Sequence, residues 1–309
     1  MKTVIVGQGA IGLLCYHRLS QTNKDNTADK LISLLPSTKT SLTRYAFSEI
    51  NGEAKEFPLT IANNQTIASA QLIIFCVKSY QATDALKAIH HLIAEDAIII
   101  VTHNGLGTLE EMSYLFKPSQ SLFALLLTQG AKKIADYHIE HTGEGESNLG
   151  IIWGDPVDDK KRNLLNFMTQ SLQKVNFQEN IQQAQWGKLA VNCVINPISA
   201  LENIDNGKIN LPIYQEAIRE IIKELVLLGA KEDVELYENL LLSLVMKVAE
   251  RTKHNTSSMR ADILNKRRTE IDYINGYIHH LGEKHQLATP MNTKLWLAVK
   301  ELEKQYLPQ

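Results

Sequence analysis

Residues 3–12, TVIVGQGAIG, are compatible with very few folds. A short apolar run, mostly β-branched, leads straight into glycines at positions 7, 9 and 12, and the helical pattern AIGLLCYHRLS (10–20) begins inside that glycine run. A strand that turns so sharply into a helix needs Gly7 for the turn and Gly12 for close helix–strand packing. Gly9 leaves bare backbone at a helix N-terminus, whose free N–H groups and partial positive charge suit a pyrophosphate. The loop of Gly7, Gln8, Gly9, Ala10, Ile11 and Gly12 is therefore expected to cradle a dinucleotide.

The same logic extends through the first half of the chain. LISLL (31–35), LIIFCV (72–77), AIIIVT (97–102) and LFALLLT (122–128) are continuous apolar runs, and QATDALKAIHHLI (81–93) reads as a crossover helix. Apolar strands separated by helices imply a parallel sheet covered on both faces. Residues 137–154 read as a hairpin-like extension at the sheet edge. After residue 178 the strand pattern stops and helical spacing takes over. Ile218, Ile221, Ile222 and Leu225 form one stripe closed by Gly229, and residues 233–253, 256–285 and 291–305 continue in kind. The expected architecture is α/β: an N-terminal Rossmann-type parallel sheet over 1–178 and an all-helical domain over 179–309.

Composition excludes several classes. Hydrophobic residues make up 44% of 309 and the net charge is −2, so a sizeable core is available and a dedicated nucleic-acid binder is disfavoured. No uninterrupted apolar run is long enough for a membrane span. Cys15, Cys76 and Cys193 lie far apart in apolar surroundings, without disulfide or metal-ligand spacing. Buried thiols in a reducing compartment are expected, hence a cytoplasmic protein with no metal, no nucleic-acid partner and no membrane partner. Its assembly is left open between monomer and homodimer.

Dinucleotide choice turns on the residues just after the second strand. An NAD site usually places a carboxylate there for the ribose hydroxyls. Here the stretch LISLLPSTKTSLTR offers Ser37, Thr38, Lys39 and Arg44 and no acid, which favours the 2′-phosphate of NADP. Lys78 comes directly after LIIFCV, and HNGLG, with Asn104, directly after AIIIVT. Ligands of open parallel sheets bind beyond the carboxyl ends of strands, so both join the glycine loop as candidates.

One helix of the second half stands out. In KLAVNCVINP (188–197), Lys188, Asn192 and Asn196 recur every four residues and share one face of an otherwise apolar helix. Solvent-facing stripes favour better helix formers than Asn. An ammonium with two carboxamides on one face looks chosen to present donors at fixed positions.

Together GQGAIG, VKSYQ, HNGLGT, WGKLAVNCVINPISAL, NTSSMRADI and RRTEIDYINGY resemble the ketopantoate reductase (2-dehydropantoate 2-reductase) family, over nearly the whole chain and in the family's order. The resemblance implies a Rossmann domain followed by a helical domain, and NADPH-dependent reduction of ketopantoate to pantoate in pantothenate biosynthesis. Lys188 corresponds to the family's proton donor. Asn192, Asn196, Ser258 and the NIDN stretch with Asn203 and Asn206 correspond to substrate-binding positions. Asn104 corresponds to a residue touching cofactor and substrate. Lys78, Ala131 and Glu270 correspond to cofactor contacts, with Glu270 close to the reacting centre.

Read without the resemblance, Glu270 is as well suited to pairing with Arg267 or Arg268. The adjacent pairs His90–His91 and His279–His280 point about 100° apart on a helix and make poor chelates. Two other functions fit parts of the pattern. A reductase of another small 2-oxo acid would keep the chemistry, with Leu106, Ile198 and Leu201 as selectivity candidates. A non-catalytic NADP-binding sensor would keep the glycine loop but has no use for Lys188, Asn192, Asn196, Ser258 and Glu270 together.

Overall fold

Apolar runs bounded by turn residues become the central strands of the first unit. In the computed structural model, which describes residues 1–22, 31–172 and 174–307, β1 (Thr3–Val6) leads into α1 (Ala10–Thr22) and β2 (Ile32–Leu35). The chain continues through β3 (Arg44–Ser48), β4 (Lys55–Pro58), α2 (Asn64–Ala68), β5 (Leu72–Phe75), α3 (Ser79–Ile89) and β6 (Ile98–Val101). After α4 (Thr108–Met112) come β7 (Ser121–Leu127), β8 (Gly130–Ala135), β9 (His138–Gly143), β10 (Ser147–Trp153), α5 (Asp158–Leu172) and β11 (Val175–Phe177).

Seven strands form one sheet in the order β11-β10-β7-β6-β5-β1-β2. From β7 to β2 all neighbours are parallel, in registers that include Thr3↔Ile32, Thr3↔Leu72 and Leu72↔Ile98. Every residue of β1, β5 and β6 is buried, as a sheet covered on both faces requires. The expected hairpin over 137–154 is not formed. β10 runs antiparallel to β7 in the main sheet, whereas β9 joins a second sheet of order β4-β3-β9-β8. The chain leaves one sheet and enters the other around residues 144–146, so the two apolar runs never pair with each other.

The second unit is helical: α6 (Ile181–Leu201), α7 (Gln215–Gly229), α8 (Glu238–Arg251), α9 (Ser258–Leu264), α10 (Asn275–His285) and α11 (Pro290–Lys304). Trp186, Leu189, Cys193 and Val194 of α6 share a core with Ile218, Ile221, Ile222 and Leu225 of α7. Burying each leucine, isoleucine or valine among them contributes about 1.5–3 kcal/mol. Gly229 ends α7 without a left-handed turn, and a Cβ there would press on Leu236 Cδ1 at 2.6 Å and on the Val234 carbonyl oxygen at 3.1 Å.

Two compact units result, Met1–His103 with Glu110–Ile181, and Asn104–Leu109 with Gln182–Gln309. The stretch Asn104–Leu109 thus packs with the helical unit although it lies just past β6. All three cysteines are buried and free. No helix of the described residues is long and apolar enough to cross a membrane.

Candidate active site

In the α/β unit, the glycine loop is shaped by two contacts and left open at a third position. Gly7 has φ +107°, and a Cβ on Gly12 would stand 2.0 Å from the Gly7 carbonyl oxygen, so both positions exclude a side chain. A Cβ on Gly9 would meet nothing nearer than the Cys76 carbonyl at 4.0 Å, and Gly9 is exposed. The fold therefore does not require glycine there; bare backbone is kept at the start of α1, where N–H groups lack intrahelical acceptors. That surplus fits the pyrophosphate of a dinucleotide. Gln8 is bound in both directions to Ser37: its Nε2 donates to Ser37 Oγ at 2.8 Å and its Oε1 accepts from Ser37 N at 2.9 Å. The loop after β2 is thereby fixed beside the glycine loop, with Ser37, Thr38 and Lys39 exposed.

Other expected cofactor residues are placed less uniformly. Arg44 is engaged on β3, where its Nε donates to Glu56 Oε2 at 2.8 Å, so it is not part of the loop after β2. Lys78 is half-buried at the start of α3, just beyond β5. Ala131 lies on β8, the edge strand of the smaller sheet, four residues past the end of β7.

The helical unit gathers the remaining candidates. Lys188 and Asn192 are half-buried and Asn196 is 6% exposed, so their shared face of α6 is no solvent stripe. Asn192 Nδ2 is buried without a hydrogen-bond acceptor among the described residues. Asn104 reaches the same unit through a glycine-dependent turn. Gly105 has φ +82°, and its Cα faces the Tyr273 carbonyl so closely that a Cβ would stand 2.1 Å from that oxygen. The next residue, Leu106, donates its N–H to the same carbonyl at 2.9 Å. This places Asn104 Nδ2 3.4 Å from Glu270 Oε2. Glu270 is buried, at 4% exposure, and acts electrostatically on Lys188. Burial draws the Lys188 ammonium down from 10.5 to about 8, and the Glu270 carboxylate opposes that fall. Arg268 pairs with Asp272 and Arg267 with Asp262.

Ser257 and Ser258 divide their tasks. Ser257 caps α9, accepting from Arg260 N at 3.1 Å, and meets Ser199 Oγ at 2.7 Å. Ser258 stays exposed on the first turn. In the NIDN stretch Asn203 Oδ1 accepts from Arg260 Nε at 2.9 Å, and Asp205 pairs with the same guanidinium. Asn206 is buried, and its Nδ2 donates to Thr252 Oγ1 at 3.0 Å.

The sequence matches the family described as Ketopantoate reductase PanE/ApbA over residues 3–153 and as Ketopantoate reductase PanE/ApbA C terminal over residues 180–303. The chain belongs to the ketopantoate reductase family. It is 31% identical over 309 residues to the 2-dehydropantoate 2-reductase of Vibrio cholerae, with 99% of each chain covered. Its fold is that of a D-mandelate dehydrogenase solved with NADH and anilino(oxo)acetate, at TM-score 0.88, 24% identity and 99% coverage of both chains. A PanE/ApbA family ketopantoate reductase from Ralstonia eutropha matches at TM-score 0.86 and 22% identity, again over 99% of both.

Two features of this ketopantoate reductase family chain escape a reading of the sequence. Arg260 ties the NIDN loop to the first turn of α9, and the sequence signal was only its place three residues after the N-cap Ser257. Glu224, Asn275 and Asn292 form a buried polar relay. A carboxylate amid the apolar residues of α7 was its one visible sign.

Proposed function

We propose that this chain reduces ketopantoate to pantoate using NADPH, with Lys188 as proton donor. The observation that carries the reading is the half-buried Lys188 ammonium, with the buried Glu270 acting on it and two carboxamides further along the same helix face. Its relatives named 2-dehydropantoate 2-reductase, matched end to end, support the same substrate. Gly9 and the first turn of α1 would hold the pyrophosphate, and Ser37, Thr38 and Lys39 the 2′-phosphate. When bound, the dinucleotide supplies the hydride that becomes the C2 hydrogen.

Reduction leaves negative charge on the former carbonyl oxygen. Lys188 Nζ stabilises that charge and passes it a proton, becoming a neutral amine that solvent recharges. Glu270 keeps the ammonium charged against desolvation and holds Asn104. Asn192 Nδ2 and the Asn196 carboxamide offer donors one and two turns along, roughly 12 Å from end to end, a span that orients a short branched hydroxy acid. The Ser258 hydroxyl is the proposed donor to the carboxylate, with Asn203 and Asn206 bounding that side.

The test is NADPH consumption by purified protein given ketopantoate, with pyruvate, 2-oxoisovalerate and NADH as parallel arms. Turnover restricted to ketopantoate with NADPH, and lowered about 10²–10⁴-fold by Lys188→Ala, is expected. Turnover with another acid would move the substrate. Tight NADPH binding with no turnover of any acid would overturn the reductase reading.

A further inference from the structure

Pro197 lies inside α6, where it has no N–H to give the carbonyl four residues earlier, that of Cys193. An unpaired buried carbonyl is costly, so a donor from elsewhere is required. Asn275, the first residue of α10 and fully buried, supplies it: its Nδ2 donates to Cys193 O at 3.0 Å. The second N–H of the same amide goes to Asn292 Oδ1 at 2.9 Å. Asn292 in turn donates to Glu224 Oε2 at 2.7 Å, and that carboxylate also takes the backbone N–H groups of Met291 and Asn292 at the start of α11. The relay therefore anchors one carbonyl of α6 to three other helices, with a carboxylate at a helix N-terminus as its fixed end.

The position of that carbonyl matters. Cys193 lies between Asn192 and Asn196 in the chain, so the anchored, proline-interrupted segment lies between the two carboxamides. A second tether holds the far side, where Ser199 Oγ donates to Asn196 O at 3.2 Å and meets the Ser257 hydroxyl. We infer that Asn275 is a positioning residue: by holding the carbonyl that Pro197 leaves unpaired, it fixes how far and in which direction Asn196 is displaced from Asn192 and Lys188, and so the shape of the substrate face. The inference rests on the assignment of that face to substrate made above.

A double-mutant cycle tests it, because Pro197→Ala restores a backbone N–H for Cys193 and removes the need for Asn275. Asn275→Ala is expected to raise KM for ketopantoate about tenfold, to leave NADPH affinity within about twofold, and to speed amide exchange in α6. In the Pro197→Ala background the same change should raise KM less than about threefold. An unchanged KM for Asn275→Ala, or equal effects in both backgrounds, overturns the inference. Should Asn275→Ala fail to fold, the double variant decides: folded with the KM of Pro197→Ala supports it, unfolded refutes it. Absence of turnover in the wild type is instead the failure of the substrate assignment. Exchange in α6 then decides alone, faster in Asn275→Ala and restored in the double variant if the inference holds.

Discussion

At the scale of single residues, the proposed chemistry turns on how far burial weakens one ammonium. As the proposed acid, Lys188 must carry its proton, and burial brings its pKa to about 8. The kcat/KM for ketopantoate is therefore expected to be level below that pH and to fall tenfold per unit above it. Glu270 pushes the same pKa upward, so Glu270→Gln should move the break to lower pH. A profile in which the break stays put in that variant would remove Glu270 from this role. Stability carries the opposite signature. The folded state binds fewer protons than the unfolded chain between about 8 and 10.5, so the destabilisation by Lys188 is full below this window and fades across it as pH rises. Lys188→Met should thus raise the melting temperature at pH 7, with a smaller gain at pH 10, while lowering turnover as far as Lys188→Ala does. Spacing alone made Lys188, Asn192 and Asn196 legible, since a four-residue repeat fixes a helix face. Glu270 was not legible in this way: its neighbours Arg267 and Arg268 suggest ion pairs, and only the fold shows them taken by Asp262 and Asp272.

At the scale of elements, the glycine loop separates what folding needs from what binding needs. Gly12→Ala forces a methyl group to 2.0 Å from the Gly7 carbonyl and should cost about 1–3 kcal/mol or more. Gly9→Ala meets open space, so thermal unfolding should barely change, yet NADPH affinity should fall about tenfold because the methyl group occupies the approach to the backbone. Wild-type affinity in Gly9→Ala, measured by titration, would mean that the pyrophosphate lies elsewhere. The central strands were readable because burial on both faces demands unbroken apolar runs. The second sheet was not. β4, Lys55–Pro58, is mostly exposed, and every residue of β8 is polar, small or exposed, so neither shows the alternation of a half-buried strand. The spacing of Leu164, Phe167, Met168 and Leu172 in α5 is that of a helix with one apolar face, and that face is buried. What spacing could not supply was any pairing over long separations, such as Asn104 with Glu270 or Asn275 with Cys193.

At the scale of the whole molecule, the linear division into an α/β half and a helical half hides one crossing. Asn104–Leu109 is a short loop in sequence terms, but it completes the helical unit, through the Gly105–Tyr273 approach, the Leu106 N–H on the same carbonyl and Asn104 beside Glu270. A dinucleotide held by the α/β unit should then report on the fold of that unit as a whole. Binding to the folded state alone stabilises by about 2.7 kcal/mol at a hundredfold excess over Kd, which corresponds to roughly 5–10 °C in melting temperature. The loop after β2 carries Ser37, Thr38 and Lys39 and no carboxylate, held in place by Gln8. NADPH should consequently shift the transition more than NADH at equal concentration, and Lys39→Ala should narrow the difference by weakening NADPH alone. Equal shifts from the two cofactors would discard the proposed preference while leaving the glycine loop as the site. No shift from either would discard the loop itself, because a ligand that binds the folded chain cannot avoid stabilising it.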